Sequence, residues 1–108
     1  MKQANVYKNG ILVGVLTQHS PSSYTFVYDD VYYANQALPA VSLTLPKSQK
    51  EYAADHLFPF FFNMIAEGVN RSLQARQLRI DEEDYFSFLL ATAQSNTIGS
   101  VTLKEIKP

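Results

Sequence analysis

The sequence predicts an α+β domain with a mainly antiparallel sheet, and three observations predict it. An Asn-Gly hairpin lies near the N-terminus. Period-2 apolar patterns fill the first half of the chain and its last residues. Between residues 57 and 93 the spacing changes to that of about three helices. Strands first, helices late and a closing strand are the order of an α+β fold rather than of alternating βαβ units.

The hairpin is the strongest local signal. Ala4 to Lys8 and Ile11 to Thr17 flank Asn9-Gly10, the pair that best tolerates the two positive φ angles of a type I′ turn. Ile11, Val13 and Val15 alternate with Leu12, Gly14 and Leu16, so both faces of this strand are expected to be covered. Ser20-Pro21-Ser22-Ser23 breaks the pattern, and Tyr24, Phe26 and Tyr28 resume it on one face before Asp29-Asp30 supplies a turn. Residues 31–40 carry little signal. Val41-Ser42-Leu43-Thr44-Leu45 reads as a strand stopped by Pro46, and Lys47 to Asp55 as an exposed loop.

Helical spacing then takes over. Phe58, Phe61, Phe62 and Ile65 fall at i, i+3, i+4 and i+7, with Pro59 acceptable only in the first turn and Gly68 as the stop. A second, weakly amphipathic helix is expected from about Asn70 to Leu78, anchored by Leu73. Asp81 reads as the N-cap of a third, with Glu82, Glu83 and Asp84 at the positive end of its dipole and Phe86, Leu89, Leu90 and Ala93 as its buried stripe. Asn96 to Gly99 turns the chain into a last strand at about Ser100 to Ile106.

At 108 residues, with no internal repeat and no visible linker, the chain reads as one domain spanning residues 1–108. It is 46% hydrophobic and 18% charged with a net charge of −1, which excludes intrinsic disorder and gives no global attraction for nucleic acid or anionic membrane. There is no cysteine, hence no disulfide, no thiolate nucleophile and no Cys-based zinc site. The N-terminal residues lack a signal-peptide apolar region, and the longest apolar run, Leu57 to Phe62, is far below the ~20 residues of a membrane span. A cytoplasmic protein is the expectation.

Catalytic patterns are missing. His19 and His56 lie far apart without metal-ligand spacing, and Ser20, Ser22 and Ser23 beside His19 come without an elbow motif and fit turn chemistry. Asp81 to Asp84 are sequence neighbours, which do not face one another on a helix, and capping accounts for them. No phosphate loop accompanies Gly10 and Gly14, and no kinase catalytic-loop motif is present. The reading is a non-enzyme, with no cofactor.

One segment stands out. Four of the seven phenylalanines lie between Phe58 and Phe62, and on a helix they leave Leu57, Phe60 and Met64 on the face opposite Phe61 and Ile65. A helix apolar nearly all round must be buried on both sides. Two readings stand open: the domain itself covers both faces, or one aromatic and sulfur-bearing edge is a partner-binding surface. Arg71, Arg76 and Arg79 on the next segment form either a solvated face or a basic rim. A separate reading takes Tyr24, Tyr28, Tyr32 and Tyr33 as an exposed stacking surface for single-stranded nucleic acid, though without a basic stripe.

The ordered set of residues resembles a known family. Val6-Tyr7, Asn9-Gly10, Val13-Gly14, Phe26, Tyr28 and Ser42-Leu43-Thr44-Leu45-Pro46 are similar to the N-terminal subdomain of HipA-type toxin kinases. Pro59-Phe60-Phe61, Asn63, Glu67-Gly68, Asp84, Phe86, Leu89-Leu90 and Ile98-Gly99-Ser100-Val101 continue the resemblance, which covers about Ala4 to Leu103. The chain departs from the family pattern at Ala66, where Pro is usual, at Gln94 and Asn96, where Gly and Asp are usual, and at Ser100, where Ala is common.

HipA-type kinases continue for several hundred residues beyond this subdomain, so a chain of this size resembles the HipS antitoxins of tripartite HipB–HipS–HipT (HipBST) systems. The resemblance implies a non-catalytic antitoxin that binds and inhibits a HipT/HipA-like Ser/Thr kinase, in a complex with a HipB-like helix-turn-helix protein. DNA is then met only indirectly, and no membrane is involved. The alternative is an N-terminal scaffold subdomain of a full HipA-like kinase, contacting HipB rather than inhibiting. In either case the expected partner-binding residues are Phe61, Phe62, Met64 and Ile65, with Glu67 and Arg71 beside them. That segment is expected to pack at or near the kinase's nucleotide or substrate cleft.

Overall fold

The computed structural model describes residues 2–62, 85–92 and 101–106. They form a five-stranded antiparallel sheet in the order β4-β3-β2-β1-β5. Its strands are β1 (Lys2–Lys8), β2 (Ile11–Ser20), β3 (Ser23–Tyr28), β4 (Glu51–Ala54) and β5 (Val101–Ile106). Three short helices accompany it: α1 (Asp30–Ala34), α2 (Pro59–Phe62) and α3 (Tyr85–Thr92). The architecture is the expected α+β class. No helix among the described residues is long and apolar enough to cross a membrane.

The β1–β2 hairpin turns where the sequence demands. Asn9 has φ 53° and Gly10 φ 80°, the left-handed pair of a type I′ turn. Pairing then runs regularly from Lys2↔Gln18 to Val6↔Gly14, but Tyr7 pairs with Leu12, which makes Val13 an extra residue in β2. This bulge corrects the expectation of a strand covered on both faces. Val13 and Leu16 are three apart and in an unbroken strand would lie on opposite faces, yet both are fully buried. Leu12 and Val15 remain partly exposed and Ile11 is exposed, while Thr17 beside Leu16 is buried, so the second face is covered only in part and the mixed apolar pattern near Val13 records a change of phase. The bulge also turns the Val13 carbonyl to accept the Asp29 N–H at 2.7 Å, which fixes the exit of β3.

Two rows of cross-strand partners carry the core across the sheet. Leu103, Val6, Gly14 and Tyr28 stand in one line of cross-strand partners, and Ala4, Leu16, Phe26 and Tyr52 in the next. Gly14 has a specific reason to be glycine. A Cβ there would come within 2.3 Å of the Val27 carbonyl oxygen and 3.1 Å of the Phe26 ring. The space it leaves is taken by Phe26 and Tyr28, whose rings meet edge to face with centroids 5.0 Å apart.

Three stretches differ from the sequence reading. Asp29 and Asp30 do not make a simple turn. Asp29 is the N-cap of α1, its carboxylate accepting from the Val31 and Tyr32 N–H groups at 3.2 and 3.3 Å. The fourth strand is Glu51–Ala54, from the stretch read as a loop, while Val41 to Leu45, read as a strand, is a turn. The Ser42 hydroxyl accepts the Thr44 N–H at 3.1 Å and the Leu45 N–H donates to the Ser42 carbonyl at 3.2 Å, closing the chain on itself. Val41 and Leu45 point into the core and Leu43 points out, whereas a strand would place all three on one face.

The connection from α1 to β4 is held by tyrosine hydroxyls. Tyr28 accepts the Val41 N–H at 3.1 Å and donates to the Leu45 carbonyl, gripping both ends of the turn. Tyr32 donates to the Pro39 carbonyl at 2.6 Å and Tyr52 to that of Pro46 at 2.5 Å. Lys47 donates to the carbonyls of Asn35 and Leu38 while lying over the Tyr32 ring. Tyr24, Tyr28 and Tyr32 are only 3%, 1% and 2% exposed. The idea of an exposed tyrosine stacking surface is therefore overturned: these three rings are core and Tyr33 is partly buried, the hydroxyls of Tyr28 and Tyr32 position a loop, and that of Tyr24 accepts from the Gln18 side chain at 2.9 Å.

Candidate functional site

The aromatic segment starts where proline chemistry predicts. Pro59 is the first helical residue of α2, where its missing N–H costs no helical bond, and the Phe62 N–H donates to the Phe58 carbonyl at 2.9 Å. Leu57, Phe58 and Phe61 point inward. Phe61 is fully buried, with its ring centroid 5.7 Å from Phe26, 6.4 Å from Phe58 and 5.2 Å from Phe60. Its side chain therefore belongs to the sheet-facing core and offers no contact surface to a partner.

Phe62 is placed differently. It is half-buried, packs against the core from its edge, and meets Tyr85 of α3 edge to face with centroids 5.1 Å apart. Together with His56, Leu57 and Pro59 these two rings line an apolar cavity of about 300 Å³. The partly exposed aromatic edge thus has a hollow beside it. The core covers Phe58 and Phe61, while Phe62 is partly exposed beside the hollow. Met64, Ile65, Glu67 and Arg71 lie outside the described residues, as do Arg76, Arg79, the second expected helix and the Asp81 cap. Within α3, Phe86, Leu89 and Leu90 are buried as their spacing predicts, and Ala93 lies outside.

The titratable groups near the hollow are modest. His56 pairs with Asp55 at 2.7 Å on the surface, and this hydrogen bond holds the Asp55 carboxyl below its usual range. His19 shares a 3.0 Å hydrogen bond with Thr25 across the β2–β3 hairpin, far from His56 in the chain. Among the described residues no group of three or more His, Cys, Asp or Glu side chains is placed to hold a metal ion. Nothing in this geometry resembles a nucleophile with its base. What it offers is an apolar recess lined by two touching aromatic rings.

Comparison with known proteins gives the family. Residues 4–104 match the family profile of the HipA N-terminal domain. The chain belongs to that family. A solved structure described as the N-terminal domain of HipA toxin superposes with a TM-score of 0.74 at 28% identity, covering 99% of this chain and 94% of that one. An uncharacterized protein of Haemophilus influenzae is 33% identical over 107 residues, 99% of this chain and 95% of its own length. This HipA N-terminal domain protein is accordingly a HipA-related toxin–antitoxin component. Its similarity is to the N-terminal part of the toxin, from about the first core strand to the last. The agreement with the resemblance read from Ala4 to Leu103 is close.

Proposed function

We propose that this protein is a non-catalytic antitoxin that binds a HipA/HipT-like Ser/Thr kinase and restrains it, within a complex that also holds a HipB-like DNA-binding protein. The observation that carries this reading is the family match across residues 4–104, to the N-terminal part of the toxin and not to its kinase portion. A relative of nearly the same length, 95% covered by the alignment, supports a domain that works as a separate protein of HipS type. The recess at Phe62 and Tyr85 supplies an apolar surface of the kind that anchors a protein interface. Phe62, Met64 and Ile65, with Glu67 and Arg71 beside them in the sequence, are the residues assigned to the kinase contact, and Phe61 is assigned to the core. The site of action is the cytoplasm, where such a kinase works.

A second reading has its own support. The solved relative is a domain of a toxin, which favours a scaffold role within a full HipA-like kinase, contacting HipB. Co-expression of the chain with the kinase encoded beside it separates the two. The antitoxin reading predicts a stoichiometric complex in which phosphorylation is suppressed. A complex whose kinase stays fully active supports the scaffold reading instead, and no complex at all rejects the antitoxin reading.

A further inference from the structure

The tip of the first hairpin carries a reactive pair that the fold leaves open to water. The chain has six asparagines, and Asn9 is the one followed by glycine; Val6, Gln36, Met64, Arg71 and Thr97 follow the others. Asparagine is among the chemically labile residues, because its side-chain carbonyl carbon lies within reach of the next backbone nitrogen. A side chain on that next residue hinders the approach, and Gly10 has none. Asn9 and Gly10 are both exposed, and nothing lies within 4 Å of the place a Gly10 Cβ would take. Among the described residues no hydrogen bond holds the Asn9 carboxamide or the Gly10 N–H. The tip is also set apart from the rest of the ladder. Tyr7↔Leu12 and Lys8↔Ile11 are the two pairs between the turn and the bulge, and none of these four residues is buried. A segment with so few buried contacts opens locally at lower free energy than the core.

We propose that Asn9 is a self-modification site, converting to isoaspartate by attack of its own backbone. The Gly10 amide nitrogen gives up its proton and bonds to the Asn9 side-chain carbonyl carbon. The carboxamide C–N bond breaks, ammonia leaves, and a cyclic succinimide remains. Water then opens the ring. Addition at the side-chain carbon restores the ordinary peptide link and gives aspartate; addition at the main-chain carbonyl carbon leaves Gly10 joined through the side chain, as isoaspartate. One water enters, one ammonia departs, and nothing is oxidised or reduced. The two products differ in their effect on this hairpin. Asp-Gly is still a type I′ pair. Isoaspartate runs the main chain through Cβ and adds a methylene, so the left-handed pair at φ 53° and 80° no longer closes the two-residue turn on Lys8 and Ile11. Turn geometry sets the register of the pairs beside it, so those pairs loosen. Beyond the bulge, the ladder from Val6↔Gly14 to Lys2↔Gln18 keeps its own pairing and the domain stays folded. The site stands independently of the antitoxin reading.

Ageing the purified full chain in warm, mildly alkaline buffer tests the site, with peptide mapping by mass spectrometry, an isoaspartyl methyltransferase assay and amide hydrogen exchange as readouts. The expected result is the mass gain of amide-to-acid conversion at Asn9, exceeding that at the other five asparagines together, with isoaspartate outweighing aspartate. Exchange protection across residues 7–12 should be lost in the aged chain and kept in freshly purified Asn9→Asp, which carries the added charge without the added methylene. Asn9 that stays intact in the folded chain, under conditions where the urea-unfolded chain converts, overturns the proposal. So does conversion spread evenly over the asparagines. An aged, isoaspartate-bearing chain that keeps its protection across residues 7–12 contradicts the loosened tip, as does an equal loss in Asn9→Asp.

Discussion

Gly14 and Tyr28, cross-strand partners in the middle of the sheet, show how single residues set the fold. Replacing Gly14 with Ala puts a methyl group against the Val27 carbonyl, a backbone atom that cannot swing aside. Overpacking of this kind costs about 1–3 kcal/mol, so chemical denaturation of Gly14→Ala is expected to show a clearly lower midpoint with an unchanged slope. Tyr28 is a different case. Burial raises its hydroxyl pKa above the ordinary value of 10.0, opposed in part by the hydrogen bond from Val41, and burial raises Tyr32 as well. The neutral hydroxyl is favoured in the folded protein, so this contribution to stability is complete below about pH 10 and is lost as pH rises through the folded value. Tyr28→Phe strips the Val41 N–H and Leu45 carbonyl of their shared partner and is expected to lose about 1–3 kcal/mol at pH 8. Its further loss between pH 8 and pH 11 should be smaller than that of wild type, and an equal loss places the alkaline sensitivity elsewhere.

Among the elements, α2 sets a fully buried Phe61 beside a partly exposed Phe62. Phe61→Ala empties the space beside Phe26 and is expected to destabilise by about 3–5 kcal/mol. Phe62→Ala, at the edge of the recess, should keep a cooperative melt yet weaken kinase binding. A Phe62 variant that binds normally removes it from the interface. The same contrast shows what the sequence made legible. The first hairpin was readable because Asn9-Gly10 determines its own backbone, and α3 because Phe86, Leu89 and Leu90 repeat with a helical period. Val41 to Leu45 was not: two inward residues four apart, with an outward leucine between them, give the same string as a strand. Glu51–Ala54 escaped notice because an edge strand exposes Glu51 and Ala53, and its partner β3 lies 23 or more residues back in the chain. The bulge at Val13 mixed two faces into one apolar run. Of the candidate site, the aromatic cluster was legible as an excess of phenylalanine, but only packing against Phe26 and Tyr85 could divide Phe61 from Phe62.

For the molecule as a whole, the arrangement of sheet, tyrosine-held loop and aromatic recess belongs to a domain seen elsewhere as the N-terminal part of a toxin. Among the described residues it presents an apolar recess lined by Phe62 and Tyr85. On the proposed antitoxin reading the protein acts by occupying a surface of the kinase, so its effect must saturate at a fixed stoichiometry. The most direct measurement is a titration of the neighbouring HipA-type kinase with the purified chain, following phosphoryl transfer to a protein substrate. The account predicts activity falling to a floor near one chain per kinase, with Phe62→Ala shifting the curve to higher concentration. Kinase activity that stays constant through a severalfold excess of chain, under conditions where the complex forms, contradicts it.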